Sequence, residues 1–230
     1  MRDGGGLAPA PVGNANAGTH MSGSVHVVAH PVLQHNLTQM RRRETLPPEF
    51  RVLMSGAGAL LLYEATRSLP TTDVAIETPL AATSMPSLEL TPVCLVPILR
   101  AGLGMAAQML EIVPRATVAH LGLYRDPRTL EAVEYFFKAP ANFAESHVFV
   151  VDPMLATGHS AVAALNRLKR LSPRTLTFIC LLAAPEGVAL LQTGHPDVPI
   201  FTGAIDERLN DHAYIVPGLG DAGDRLYGTH

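Results

Sequence analysis

The stretch "HVFVVDPMLATGHSAVAAL", residues 147–165, decides how this chain is read. It opens on a hydrophobic run, the pattern of a strand buried on both faces. The run ends at an acid, Asp152. Pro153, Met154, Leu155 and Ala156 follow, then Thr157, Gly158, His159 and Ser160, after which the chain is helix-forming. Backbone N–H groups at a helix start point outward at the positive end of the dipole, so they suit a phosphate. Thr157 and Ser160 add hydroxyl donors, and Gly158 lets the backbone approach closely. No lysine follows the glycine, which excludes the P-loop of nucleotide triphosphatases. An acid a few residues before such a cradle matches the spacing of a sugar ring. Its carboxylate can accept hydrogen bonds from ribose hydroxyls while the loop holds the 5′-phosphate. The plainer reading, a strand–turn–helix with an aspartate near the cap, accounts for this loop taken alone.

Outward from that stretch the pattern repeats. Apolar strands are predicted at "VCLVPIL", "TVAHLGLY", "TLTFICLLAA" and "VPIFTGAI". Helical stretches such as "GMAAQMLEIV", "SAVAALNRLKRL" and "EGVALLQ" separate most of them. Continuous apolar strands alternating with helices predict an α/β fold, a parallel sheet flanked by helices. The segment "YRDPRTLEAVEYFFKAP" breaks the alternation, charged at its turn and aromatic on its return, like a projecting hairpin arm. A further helix should follow Pro47 and Pro48, where Leu53, Ala57, Leu60 and Leu61 recur at a helical period. The end, "DERLNDHAYIVPGLGDAGDRLYGTH", shows no helical period. Residues 1–24, rich in Gly, Ala, Pro and Asn, bury too little to offset ordering entropy and read as a disordered tail. The folded domain is expected over 25–230, and Met21 is an alternative start to Met1.

With 230 residues, 47% of them hydrophobic and 16% charged, the chain suits one domain with a sizeable core. A net charge of −3 makes no bulk case for nucleic acid or an anionic membrane as main partner. Arg41, Arg42 and Arg43 form too short a run for that and read as a solvated helix face. No apolar run is long enough for a membrane span and no signal peptide opens the chain, so a cytoplasmic protein is expected. Cys94 and Cys180 lie in apolar runs and are predicted to be buried free thiols. The ten histidines lack metal-ligand spacing, which argues against structural zinc.

Two other strand ends carry chemistry, at the place where open parallel sheets bind ligands. In "LVPILRAGLGMAAQ", Gly102, Gly104 and Ala107 satisfy the dinucleotide fingerprint, with Asp126 about twenty residues on. A dinucleotide-dependent oxidoreductase is therefore an open alternative. "GLGDAG" matches the same short pattern without room for a crossover. Arg100 precedes the first glycines, and a cation there suits a diphosphate held by charge. In "LGLYRDP", Arg125 sits where a strand becomes the arm. Alone it would be a solvated surface residue; with Arg100 it makes half of a clamp on a strongly anionic ligand.

Taken together and in order, "VPILRAGLGM", "GLYRDPRTLEAVEYFFK", "VVDPMLATGHS", "AAPEG" with "HPDVPI", and "YIVPGLGDAGDRLYGT" resemble the uracil phosphoribosyltransferases, type I phosphoribosyltransferases that convert uracil and phosphoribosyl diphosphate to UMP and diphosphate for pyrimidine salvage. The resemblance runs from about Val25 to Thr229. It implies that Arg100 and Arg125 contact phosphoribosyl diphosphate and that the loop from Asp152 to Ser160 binds its ribose 5-phosphate. Ile215, Gly220, Asp221 and Ala222 would hold uracil, with Asp221 also facing the sugar diphosphate. Asp152, Asp221 and Arg125 are the catalytic candidates. It further implies a C-terminal hood, Mg²⁺ bound mainly through substrate, a homo-oligomer (dimer or tetramer) and, in some members, GTP activation. The chain departs from the family pattern at three places. His159 stands where the loop usually has a second glycine, Ala29 replaces an aspartate, and no acid follows Gly104 and Met105. A catalytically weakened, nucleotide-sensing regulator on the same fold is the second alternative.

Overall fold

The structure, a computed structural model, describes residues 23–125 and 132–229. Most of the segment read as a tail, up to residue 22, lies outside the described residues, as does the tip of the arm. Along the chain come β1 (Val25–Val27), α1 (Pro31–Arg41), α2 (Pro47–Ala65), β2 (Thr72–Glu77), β3 (Ala82–Ser87), β4 (Val93–Leu99) and α3 (Leu103–Ile112). Next are β5 (Thr117–Val118), β6 (His120–Arg125), β7 (Ala132–Lys138), β8 (His147–Val151), β9 (Met154–Leu155), α4 (His159–Lys169) and β10 (Thr175–Ala183). The chain ends with α5 (Pro185–Gly194), β11 (Ile200–Ile205), β12 (Arg208–Leu209), β13 (Ile215–Val216) and α6 (Ala222–Tyr227).

The main sheet runs β1-β11-β10-β8-β4-β6-β7, with β5 paired to β4 and β9 to β10. Every pairing in it is parallel except β6 with β7. The central strands β4, β8 and β10 are buried almost throughout. That is why their sequences are continuously apolar: each face of the sheet has its own core. On one face Leu37, Phe50, Met54, Leu61, Met105 and Met109 from α1, α2 and α3 form a single cluster. On the other, Ala161, Leu165 and Leu168 of α4 pack with Leu191 of α5. Burying aliphatic side chains of this size contributes about 1.5–3 kcal/mol apiece, so the sheet is a rigid frame for whatever its strand ends carry.

The expected α/β architecture is therefore observed, including the antiparallel arm of β6 and β7. Helix α2 starts at Pro47, whose fixed φ and missing N–H suit the first turn. Both cysteines are free and buried, and burial pushes the Cys180 thiol up to about 12. Three elements differ from expectation. "TVAHLGLY" is two strands, interrupted at Ala119. The hairpin β2–β3 gave no signal because its residues are mostly exposed, so no apolar alternation marks it. The end of the chain holds the short helix α6, closed off by Asp221 at its N-cap and by left-handed Gly228 (φ 70°) at its C-cap. Six residues are too few to show a helical period.

Candidate active site

Arg100 follows β4 and Asp152 follows β8, two neighbouring parallel strands in register from Val93↔His147 to Pro97↔Val151. The sheet ladder thus sets both residues at one carboxyl edge. There they line a cavity of about 330 Å³ with Ala101, Met154, Ala156, Ala213, Tyr214, Ile215, Gly220, Asp221, Ala222 and Gly223. Three segments distant in sequence converge on it: the two strand ends and the C-terminal hood. A larger cavity, about 770 Å³, opens near His147 and Thr175 at the amino ends of β8 and β10. Ligands of open parallel sheets bind at the carboxyl ends, so the smaller cavity is the candidate site.

Asp152 is the electrostatic centre. Burial raises its carboxyl to about 7, opposed by a hydrogen bond from the Met154 backbone. A carboxylate so placed is poised for ligand groups that donate hydrogen bonds or carry positive charge, since these favour its ionised form. Arg100 is exposed at the cavity, with its guanidinium 5.9 Å from the centre of the Tyr227 ring. The Tyr227 hydroxyl donates to the Arg100 carbonyl at 3.0 Å. The peptide bonds Leu99–Arg100 and Val216–Pro217 are cis.

The loop after Asp152 leads into α4 through Gly158, which is left-handed at φ 84°. A side chain there would be strained and would press on the Gly187 carbonyl at 3.0 Å. Gly187, in the first turn of α5, is required in its turn: a Cβ on it would sit 2.4 Å from the Ala156 carbonyl. Helix α5 thus backs the loop at backbone distance, a role for "AAPEG" that sequence reading did not assign. His159 is the first residue of α4 and its side chain is exposed.

The hood presents Ala213, Tyr214 and Ile215, then Gly220, Asp221 and Ala222. Asn210 organises the first group: its Oδ1 accepts from the backbone N–H of His212 and of Tyr214, at 3.0 and 2.9 Å. Asp221 Oδ1 accepts from the Asp224 N–H at 2.9 Å, so the residue holds the start of α6 while facing the cavity.

Of the residues singled out from sequence, Arg100, Asp152, Met154, Ala156, Ile215, Gly220, Asp221 and Ala222 meet at the cavity. Pro153 and Leu155 are buried beneath it, and Thr157, Gly158, His159 and Ser160 continue the loop away from it. Arg125 ends β6, next to β4, so its backbone stands one strand from Arg100; its side chain, like Asp126, lies outside the described residues. Ala101, Ala213, Tyr214 and Gly223 were missed, because a turn with no period gives no reason to choose among its members. Two readings are corrected. Arg41 is not a solvated face residue; it donates to both Asp206 carboxylate oxygens, at 2.7 and 2.6 Å. The fingerprint glycines serve packing: a Cβ on Gly102 would strike the Val151 carbonyl at 2.5 Å, and one on Gly104 would strike Met54 and Leu226.

An open parallel sheet whose carboxyl edge carries Arg100, Asp152 and a loop into a helix, with the C-terminal hood lining the same cavity as the two side chains, defines the class as a type I phosphoribosyltransferase-like α/β protein. A solved structure of a protein from Aquifex aeolicus superposes with a TM-score of 0.85 at 36% identity, covering 89% of this chain and 98% of that one. The uracil phosphoribosyltransferase of Acidovorax sp. (strain JS42) is 56% identical over 90% of this chain and 99% of its own length. That of Caulobacter vibrioides (strain NA1000 / CB15N) is 58% identical over the same shares. The family model for uracil phosphoribosyltransferase matches residues 27–229, and the chain belongs to that family.

Proposed function

We propose that this chain transfers the phosphoribosyl group of 5-phosphoribosyl 1-diphosphate to uracil, giving UMP and diphosphate. The observation that carries the reading is the convergence of Asp152, Arg100 and the hood residues Ile215, Gly220, Asp221 and Ala222 on one cavity. Displacement at the anomeric carbon builds positive charge on the sugar ring and negative charge on the leaving group. No covalent nucleophile is required; positioning and charge stabilisation suffice. Arg100, and Arg125 from the next strand, meet the diphosphate. Asp152 accepts from ribose hydroxyls and, once ionised, faces the developing ring charge. The backbone of residues 156–160 and the hydroxyls of Thr157 and Ser160 hold the 5-phosphate at the start of α4. The hood presents fixed main-chain partners to the alternating donors and acceptors of uracil. Cytosine reverses two of those groups and would leave polar atoms unpaired.

Mg²⁺ fits this donor set. Asp221 offers a hard carboxylate at the cavity, and Mg²⁺ keeps most of its shell as water and substrate oxygen. When bound it supplies charge neutralisation at the diphosphate. The catalytic unit is residues 25–230, acting in the cytoplasm as a homo-oligomer (dimer or tetramer), with GTP as an effector to be tested. The deciding experiment is purified protein with uracil, phosphoribosyl diphosphate and Mg²⁺, following UMP by chromatography. UMP formation that requires all three supports the reading; none under any metal or GTP condition sinks it.

A further inference from the structure

We infer that Arg41 and Asp206, which do not line the cavity, are positioning residues that set the affinity for the base. The inference rests on the proposed assignment of the hood to uracil. Arg41 is the last residue of α1, and Asp206 follows β11, so each is anchored in the frame rather than in the hood. Between them they capture both backbone groups of Gly218. Asp206 Oδ2 accepts from the Gly218 N–H at 2.8 Å, and Arg41 Nη1 donates to the Gly218 carbonyl at 2.8 Å. The same two side chains are joined to each other by two hydrogen bonds, so the four groups form a closed ring.

Gly218 is the pivot between the two parts of the hood that reach the cavity, Ile215 on one side and Gly220, Asp221 and Ala222 on the other. Its φ of 60° and a Cβ position only 2.1 Å from the Ile215 carbonyl leave no side chain able to replace it. The turn therefore cannot be held by side-chain packing at residue 218, and its place is fixed through its backbone. The Asp206 side chain is 5% exposed and that of Arg41 25%, so this pair is not a screened surface contact. A carboxylate accepting three hydrogen bonds and a guanidinium fork donating three is strongly directional. Among the described residues, the side-chain bonds of Arg41 and Asp206 run to each other and to Gly218, away from the strand ends that carry Arg100 and Asp152. Loosening them should therefore disturb the base more than the sugar diphosphate.

The test uses the full chain and two variants, Asp206→Asn and Arg41→Lys. The first turns an amide N–H₂ toward a donor; the second keeps the charge and loses the fork. Expected is a rise of about tenfold in KM for uracil, with KM for phosphoribosyl diphosphate within about twofold and kcat little changed. Calorimetry with UMP and with ribose 5-phosphate gives the same comparison without turnover: UMP should weaken while ribose 5-phosphate does not. If the wild type made no UMP, the functional reading would fail, and the calorimetric pair would still decide the positioning role. Should Asp206→Asn not fold, Arg41→Lys carries the decision. Unchanged affinity for uracil and UMP in a folded variant, or an equal rise in both KM values, overturns the inference.

Discussion

The two halves of the cavity are built by different means. Arg100 and Asp152 stand at the ends of strands whose every neighbour is fixed by a ladder of backbone bonds and a core on each face. The hood has two strands of two residues each, β12 and β13, and glycines at φ 60° and 81°. Its shape comes from directional side-chain bonds: Arg41 and Asp206 of the frame hold the Gly218 backbone, and Arg225 of α6 donates to the Leu219 carbonyl and, across to the frame, to the carbonyls of Arg42 and Met40. One half is rigid because the whole sheet is rigid. The other holds its place through a few directional bonds that could be cut singly. Substitutions at the strand ends should therefore strike chemistry and leave the fold alone, whereas substitutions at the hood should alter base recognition.

The largest effect is expected at Asp152. Asp152→Asn should lower kcat by about 10²–10³-fold, the usual cost of losing one preorganised electrostatic partner, in a protein that still folds. The pH dependence follows from the raised carboxyl. Burial favours the protonated form in the folded protein, lifting it from 3.8 in the free side chain to about 7. This group's contribution to stability is thus full below about pH 4 and is lost as pH rises through 7. The asparagine variant, neutral throughout, should be more stable than wild type at pH 8, by at most about 4 kcal/mol, read as a higher unfolding temperature, and show no such advantage at pH 4. Wild-type kcat/KM should fall about tenfold per unit below pH 7 as the carboxylate protonates. A flat profile from pH 5 to 8, or wild-type turnover in the variant, would break the contrast at its centre.

Arg100→Ala and Arg125→Ala come next. Each removes a charge-assisted contact of about 1.5–3 kcal/mol, so calorimetry should show phosphoribosyl diphosphate bound about ten- to a hundredfold more weakly, with uracil KM less affected. If either variant bound the sugar diphosphate like wild type, the clamp across β4 and β6 would not exist.

The same contrast explains what the sequence disclosed. Strand ends were legible because an apolar run that stops at a charge has one physical meaning in a parallel sheet, and the run before Asp152 is buried throughout. The fold followed from the same signal. The hood was legible only through its resemblance to a family. The bonds by which Arg41 and Arg225 tie the two ends of the chain together join residues 165 to 185 positions apart, and no local pattern announces that Arg41 will find Asp206 or that Arg225 will cover Phe50. Arg41 therefore read as a solvated residue. Glycines 102 and 104 were misleading for the opposite reason: close packing and close ligand approach both demand a missing Cβ.

Ala222→Val sharpens the hood side. Ala222 is buried and lines the cavity, so two added methyl groups must either enter the space proposed for the base or press on a neighbour. Overpacking of this kind costs about 1–3 kcal/mol. Uracil KM should rise about five- to a hundredfold, and that for phosphoribosyl diphosphate by much less. An unchanged uracil KM would place the base outside the hood.

The smallest effect is expected at His159, the residue that departs from the family loop. In the proposed function the loop would hold phosphate through backbone N–H groups and through Thr157 and Ser160, and the left-handed turn that opens it belongs to Gly158. His159 is the first helical residue beyond that turn and its side chain is exposed, so the imidazole is not needed to shape the loop. His159→Gly should then keep kcat/KM within about tenfold of wild type, a change of about 1.4 kcal/mol or less. A separate effect falls on stability, because glycine at the first turn of α4 raises backbone entropy in the unfolded chain. Thermal unfolding of both proteins isolates this effect, since it lowers stability without touching KM for phosphoribosyl diphosphate. The opposite result is equally definite. If the natural chain were nearly inactive and the glycine variant recovered a hundredfold or more, the loop would be one that has lost phosphate. The protein would then be a sensor on an enzyme's frame, with its strand ends intact and its chemistry switched off at a single side chain.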